Sequence, residues 1–239
     1  LKKTEPFRFK QFSIEQDQCP MKVGTDGVLL GAWAEVSNAR RALDIGTGTG
    51  LIALMLAQRN PELIVHAVEI DEVACQQARS NVEQSPWPDR VTVFFDSIQD
   101  FAKTNVEPYD LIVSNPPFFS GGTFSDNHDR NSIRHTIKLP HGDLLAATRK
   151  LLSKAGRFCV ILPYVEGLRF EEMAKQYHLF CTKIMEVRSL ADKPVERLLM
   201  QFERISGPVE KTELIIQKEG RNNWTDEYIE LTGAFYLNM

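Results

Sequence analysis

From Arg41 onward, short runs rich in β-branched and other apolar residues alternate with stretches of helical periodicity. Residues 42–45, 64–68, 91–95, 111–113 and 158–162 predict strands, and 51–59, 72–83 and 143–152 predict helices between them. Alternation at this spacing implies an α/β fold, a parallel, doubly wound sheet covered on both faces, in which ligands bind at the carboxyl ends of the strands. Residues 181–187 and 198–204 predict two further strands without a clear helix between them, which suits an antiparallel pair closing the sheet. Two segments depart from the pattern. Phe7 to Gln16 alternates aromatic and polar positions, as a hairpin or edge strand does. Ser120 to His141 is rich in Gly, Ser, Asn, Asp and His, and a structureless stretch of that length inside a compact domain is usually functional or disordered.

Composition narrows the class. A chain of 239 residues, 43% of them hydrophobic, suits one large α/β domain with small attachments. The expected division is an N-terminal hairpin and covering segment over 1–35, a sheet core over 36–205 and a C-terminal extension over 206–239. No uncharged apolar run approaches a membrane span, and Leu1 to Lys10 lacks the apolar core of a signal peptide, so a cytoplasmic protein without a membrane partner is expected. Cys19, Cys75, Cys159 and Cys181 lie far apart without a CxxC pair, and the histidines have no ligand spacing, so no metal is expected. The net charge of −4 speaks against a dedicated nucleic-acid-binding domain. Its distribution is uneven: acidic residues dominate 60–110, basic ones dominate 120–154, and Lys2, Lys3, Arg8, Lys10 and Lys22 crowd the N-terminus.

The candidate chemistry sits at strand ends. Leu43-Asp44-Ile45-Gly46-Thr47-Gly48-Thr49-Gly50 lies where the first core strand gives way to a helix. Glycines there let the backbone turn sharply beside a ligand, and the helix presents free N–H groups to an anion. A dinucleotide fingerprint needs its third glycine one residue later than Gly50, which weakens the NAD reading in favour of S-adenosyl-L-methionine. Gly46, Thr47, Gly48 and Gly50 would then hold the methionine end, its carboxylate near the helix N-terminus and its ammonium near Asp44. Glu69, beside Ile70 at the end of the next strand, falls close to the spacing at which an acid meets a ribose. Asp71 reads as the cap of the following helix, and Asp96 as either an acceptor for the cofactor's adenine amino group or another cap.

The fourth core strand runs into Ser114-Asn115-Pro116-Pro117-Phe118-Phe119. A Pro-Pro pair stops the strand and fixes φ at both positions, so that the Asn115 side chain and the Pro116 carbonyl sit in a rigid bend. An adenine amino nitrogen is a poor nucleophile because its lone pair is delocalised into the ring. Two acceptors taking its hydrogens favour a pyramidal nitrogen, which is stabilisation selective for the transition state. Phe118 would stack on the target base, and Phe119 would line the pocket or pack.

These residues, in this order, resemble the class I S-adenosyl-L-methionine methyltransferases of the Asn-Pro-Pro-aromatic type. Met21 to Leu30, Arg134-His135-Thr136 and Leu231 to Met239 are similar, within that class, to bacterial tRNA adenine-N6 methyltransferases acting on the adenosine just 3′ of the valine anticodon. The resemblance implies a Rossmann-like seven-stranded sheet, mostly parallel with an antiparallel last strand. It implies S-adenosyl-L-methionine as donor and tRNA as substrate. It also implies that Lys22, Thr25 and Asp26 lie over the cofactor, where each is otherwise a turn or cap residue. Arg130, Arg134, His135 and Lys138, with the basic N-terminus, are the candidate RNA contacts. Three alternatives stay open: a glutamine-N5 methyltransferase of protein, because that amide needs the same two acceptors; a guanine-N2 methyltransferase of ribosomal RNA; and a non-catalytic RNA-binding scaffold, against which the intact Asp44, Glu69 and Asn115 count.

Overall fold

The computed structural model describes residues 5–19, 22–117, 139–220 and 223–239. The core strands are β3 (Arg41–Ile45), β4 (Ile64–Glu69), β5 (Val91–Phe95), β6 (Tyr109–Ser114), β7 (Leu152–Pro163), β8 (Phe180–Arg188), β9 (Arg197–Glu203) and β10 (Glu210–Ile215). They form one sheet in the order β10-β8-β9-β7-β6-β3-β4-β5, parallel except for β9, which runs antiparallel to both of its neighbours. β1 (Phe7–Arg8) and β2 (Ser13–Ile14) make the small antiparallel hairpin expected over Phe7 to Gln16.

Two apolar cores flank the sheet, and the period of two along each strand divides the residues between them. In β6, Leu111 and Val113 enter one core and Ile112 the other; in β7, Cys159 and Ile161 oppose Phe158, Val160 and Leu162. The first core is closed by α1 (Thr25–Trp33), α2 (Leu51–Arg59) and α3 (Glu72–Glu83). The second is closed by α4 (Ile98–Thr104), α5 (His141–Leu151) and α6 (Tyr164–Gln176), and α7 (Asp226–Thr232) follows β10. No helix among the described residues is long and apolar enough to cross a membrane.

The sheet differs from the expected seven strands by one. The seven are present with their antiparallel member, and β10, from the C-terminal extension, adds an eighth beside β8. Its first four residues, Glu-Lys-Thr-Glu, are exposed and held in part by ion pairs of Lys183 with Glu210 and Arg188 with Glu213, and only Leu214 is buried, so it carries no apolar alternation to betray a strand. The helix α1 also lacks a period, because Gly27 to Ala32 are buried without interruption. Its close packing on α2 depends on Gly31, where an added Cβ would fall 2.7 Å from Met55 Sδ.

This topology fixes where a ligand can sit. From β3 the chain crosses to β4 and β5 on one side, whereas β6 leads to β7 on the other, so the crevice beyond β3 and β6 is the switch point of the sheet. Ile45 and Ser114 are register partners at that edge, and Ser114 Oγ donates a buried hydrogen bond of 2.9 Å to the Ile45 carbonyl.

Candidate active site

The residues that follow this register pair are Gly46 and Asn115, so the glycine loop and the Asn-Pro-Pro bend leave adjacent strands side by side. Gly46, Gly48 and Gly50 all have positive φ, at 73°, 56° and 84°, which non-glycine residues seldom adopt. A Cβ at Gly46 would meet nothing within 4 Å, and the loop therefore presents bare backbone to the space in front of it. Gly50 caps α2 in the left-handed conformation and turns away from that space against Ala78.

A single cavity of about 1910 Å³ opens over both strand ends. Gly46, Thr47 and Gly48 form part of its floor, Glu69, Ile70 and Asp96 one flank, and Asn115 and Pro116 another. Lys22, Thr25 and Asp26 line it from the segment leading into α1. Gly50 and Asp44 are not on its wall, contrary to the expected contact of Asp44 with a bound ammonium. Asp44 is fully buried beneath the loop, where Thr47 Oγ1 donates to its Oδ2 at 2.6 Å. Burial pushes its carboxyl up to about 7, against the Thr47 hydrogen bond, which favours the ionised form. Phe118, Phe119, Arg130, Arg134, His135 and Lys138 lie outside the described residues.

Glu69 is tied into the loop. Its Oε2 accepts from Gly48 N at 2.9 Å, and its Oε1 accepts from Ile70 N and Asp71 N at 2.9 and 3.0 Å. The carboxylate is thereby fixed at the cavity edge, and Oε2 keeps a lone pair with which to accept one further hydrogen bond. Asp71 caps α3 by accepting from Ala74 N at 2.8 Å, as its sequence position indicates. Asp96 is not a cap; Ser97 takes that role on α4, and the Asp96 backbone N–H donates to the Glu69 carbonyl. Ile70, which follows Glu69, and Phe95, the register partner of Glu69 on β5, line the cavity with about half of their surface exposed.

Asn115 is half-buried on the cavity wall, and its Oδ1 is buried without a hydrogen-bond partner among the described residues. Buried polar atoms are nearly always paired, and of those left unpaired among the described residues Asn115 Oδ1 is the one whose residue lines the cavity.

Several residues that hold this geometry escaped the sequence reading. Asn81, buried in α3, donates to the Thr49 and Glu15 carbonyls at 2.8 and 2.9 Å and accepts from Glu15 N at 2.9 Å. Gln77, one turn earlier, accepts from Gln18 N at 2.9 Å. Two amides at i and i+4 inside the Ala-rich buried face of α3 were the available signal. Arg197, at the start of β9, donates to Asp26 Oδ2 at 2.9 Å, a pairing across 171 residues that no local pattern announces.

The model of the methyltransferase small domain family matches residues 23–163. A tRNA1(Val) (adenine(37)-N6)-methyltransferase of Trichodesmium erythraeum is 49% identical over 233 residues, covering 97% of each chain. One of Histophilus somni is 44% identical over 240 residues, covering all of both chains. Among solved structures, a predicted O-methyltransferase of Agrobacterium tumefaciens superposes with a TM-score of 0.70 at 15% identity, covering 88% of this chain and 96% of that one. A ribosomal protein L11 methylase of Lactobacillus delbrueckii gives 0.57 at 15% identity, covering 80% and 83%. These two share the fold alone. With the family model spanning the glycine loop, the acid after β4 and the Asn-Pro-Pro bend, and relatives matching end to end, the chain belongs to the methyltransferase small domain family.

Proposed function

We propose that this chain transfers a methyl group from S-adenosyl-L-methionine to the N6 amino group of adenosine 37 in a cytoplasmic tRNA, with residues 1–239 acting as one methyltransferase domain. The substrate follows the activity for which the end-to-end relatives are named. The chemistry rests on one observation, the unpaired Asn115 Oδ1 beside a loop of bare backbone.

The donor set suits the cofactor. The start of α2, where Leu51 and Ile52 line the cavity, presents the positive end of a helix to an anionic carboxylate, and the Asp44 carboxyl acts from behind the loop by holding Thr47 in place. Glu69 Oε2 accepts from a ribose hydroxyl, Ile70 and Phe95 flank the adenine, and Asp96 accepts from its amino group. Lys22, Thr25 and Asp26 cover the whole. When bound, S-adenosyl-L-methionine supplies an electrophilic methyl group.

At the target base, Asn115 Oδ1 and the Pro116 carbonyl accept the two amino hydrogens and turn the nitrogen lone pair out of conjugation. Both acceptors are fixed before the substrate arrives, so no reorganisation is needed as charge develops. Phe118 supplies the stacking face, Phe119 the neighbouring wall, and Arg130, Arg134, His135 and Lys138 the contacts to RNA.

Incubation with methyl-labelled S-adenosyl-L-methionine and either unmodified tRNA or a release factor separates this reading from methylation of a protein glutamine, whose planar amide needs the same acceptors. Label in tRNA is expected; label confined to protein contradicts the assignment.

A further inference from the structure

The cavity is larger than the chemistry at Asn115 requires. Ligand pockets usually run ~300–1,000 Å³, and this one reaches about 1910 Å³. Part of its lining, the second lobe, comes from residues at the ends of β8 and β10, on the approach to α7 and in the N-terminal hairpin. Backbone pairing builds that lobe: Gln217 N donates to the Ser189 carbonyl at 3.0 Å, and Gln217 pairs antiparallel with Trp224. An aromatic wall follows. The Trp224 and Tyr228 rings are 5.3 Å apart, Tyr228 and Tyr236 6.5 Å, and Tyr236 and Phe7 6.3 Å. Trp224 and Tyr236 keep part of their surface free, and the exposed Arg8 lines the same cavity. The Asp26–Arg197 ion pair joins this lobe to the cofactor-covering segment. None of these aromatic groups serves the chemistry at Asn115.

We propose that the second lobe binds a nucleobase of the RNA, that of a nucleotide flanking the methylated adenosine, stacked on the Trp224–Tyr236 wall with Arg8 at its phosphate. This rests on the reading of tRNA as substrate. A polynucleotide that inserts one base at Asn115 must leave its neighbours at the same mouth, and half-exposed aromatic rings with a cation on the same cavity suit a base and its phosphate. A chain of net charge −4 gains little from unspecific attraction to phosphates, so grip has to come from contacts of this kind.

Steady-state kinetics and a fluorescent base test the proposal. Trp224→Ala is expected to raise KM for tRNA on the order of ten- to a hundred-fold, the range for loss of one stacked base. kcat and the affinity for S-adenosyl-L-methionine should be unchanged, and Trp224→Phe should restore KM. An anticodon stem-loop RNA carrying 2-aminopurine on either side of the target should show quenching at one neighbour in the wild-type protein and lose it in Trp224→Ala. A folded Trp224→Ala with normal KM, or one weakened only for the cofactor, overturns the proposal. Should that variant fail to fold, absence of quenching at both neighbours in the wild-type protein overturns it. Wild-type transfer to tRNA persists in each of these cases, whereas failure of the tRNA reading abolishes it.

Discussion

Asn115 holds an acceptor in a buried position with nothing to accept from, an arrangement that costs stability on its own account. Asn115→Ala should therefore leave the thermal midpoint of the unliganded protein unchanged or slightly raised, while methyl transfer falls on the order of 10²–10³. Asp44 behaves differently. Its carboxyl, at 3.8 when free, is pushed by burial to about 7 in the fold, so the fold's preference for the protonated form is complete below the free value and lost as pH rises through about 7. Asp44→Asn is expected to stabilise the unliganded protein near ~pH 8 and to give no gain near ~pH 4. Parallel melting curves across that range check it; a constant difference contradicts the ionisation. At this scale the sequence was most legible where a residue's role is set by its immediate neighbours. The place of Asn115 at a strand end is announced by the prolines after it, and the capping role of Asp71 by the helix after it. Asp44 was not, because its burial beneath the loop depends on how Thr47 folds back over it.

The strand ends, rather than any one side chain, give the site its shape. Register pairing of Ile45 with Ser114, reinforced by the Ser114 hydroxyl, sets the glycine loop and the Asn-Pro-Pro bend on neighbouring strands ~4.8 Å apart. The alternation of strands and helices was readable because each strand is short and apolar, and the two flanking cores follow from it. Elements with a different signature were not: β10 hides behind exposed charges, and α1 behind its uninterrupted burial. The tie between α3 and the N-terminal segment was equally silent. Asn81→Ala removes its hydrogen bonds to Glu15 and Thr49 and should cost about 1–3 kcal/mol in urea unfolding. It should also raise amide exchange over 15–19 and weaken cofactor binding; unchanged exchange there would contradict the clamp.

Over the whole molecule, the hairpin around Phe7 to Lys10 and residues 233–239 meet beside the site. Lys10 N donates to the Phe235 carbonyl and Lys10 Nζ to those of Gly233 and Met239, while Tyr236 packs against Phe7 and Phe9. This closes the hairpin and the C-terminal extension into a common rim, which explains why sequence features near both ends accompany the catalytic motifs. Arg8 on that rim is an exposed cation, and its replacement by Ala should lower the slope of log binding constant against log salt for tRNA by roughly 0.7–0.9, one phosphate contact, with kcat unchanged. An unaltered slope places Arg8 away from RNA. The central claim is that the orphaned Asn115 acceptor serves an adenine amine of tRNA. Its most direct test is nucleoside mass spectrometry of an unmodified tRNA(Val) transcript after incubation with S-adenosyl-L-methionine and either wild-type protein or Asn115→Ala. The account predicts N6-methyladenosine at position 37 with the wild type and next to none with the variant; a different methylated nucleoside, or equal yield from both proteins, would contradict it.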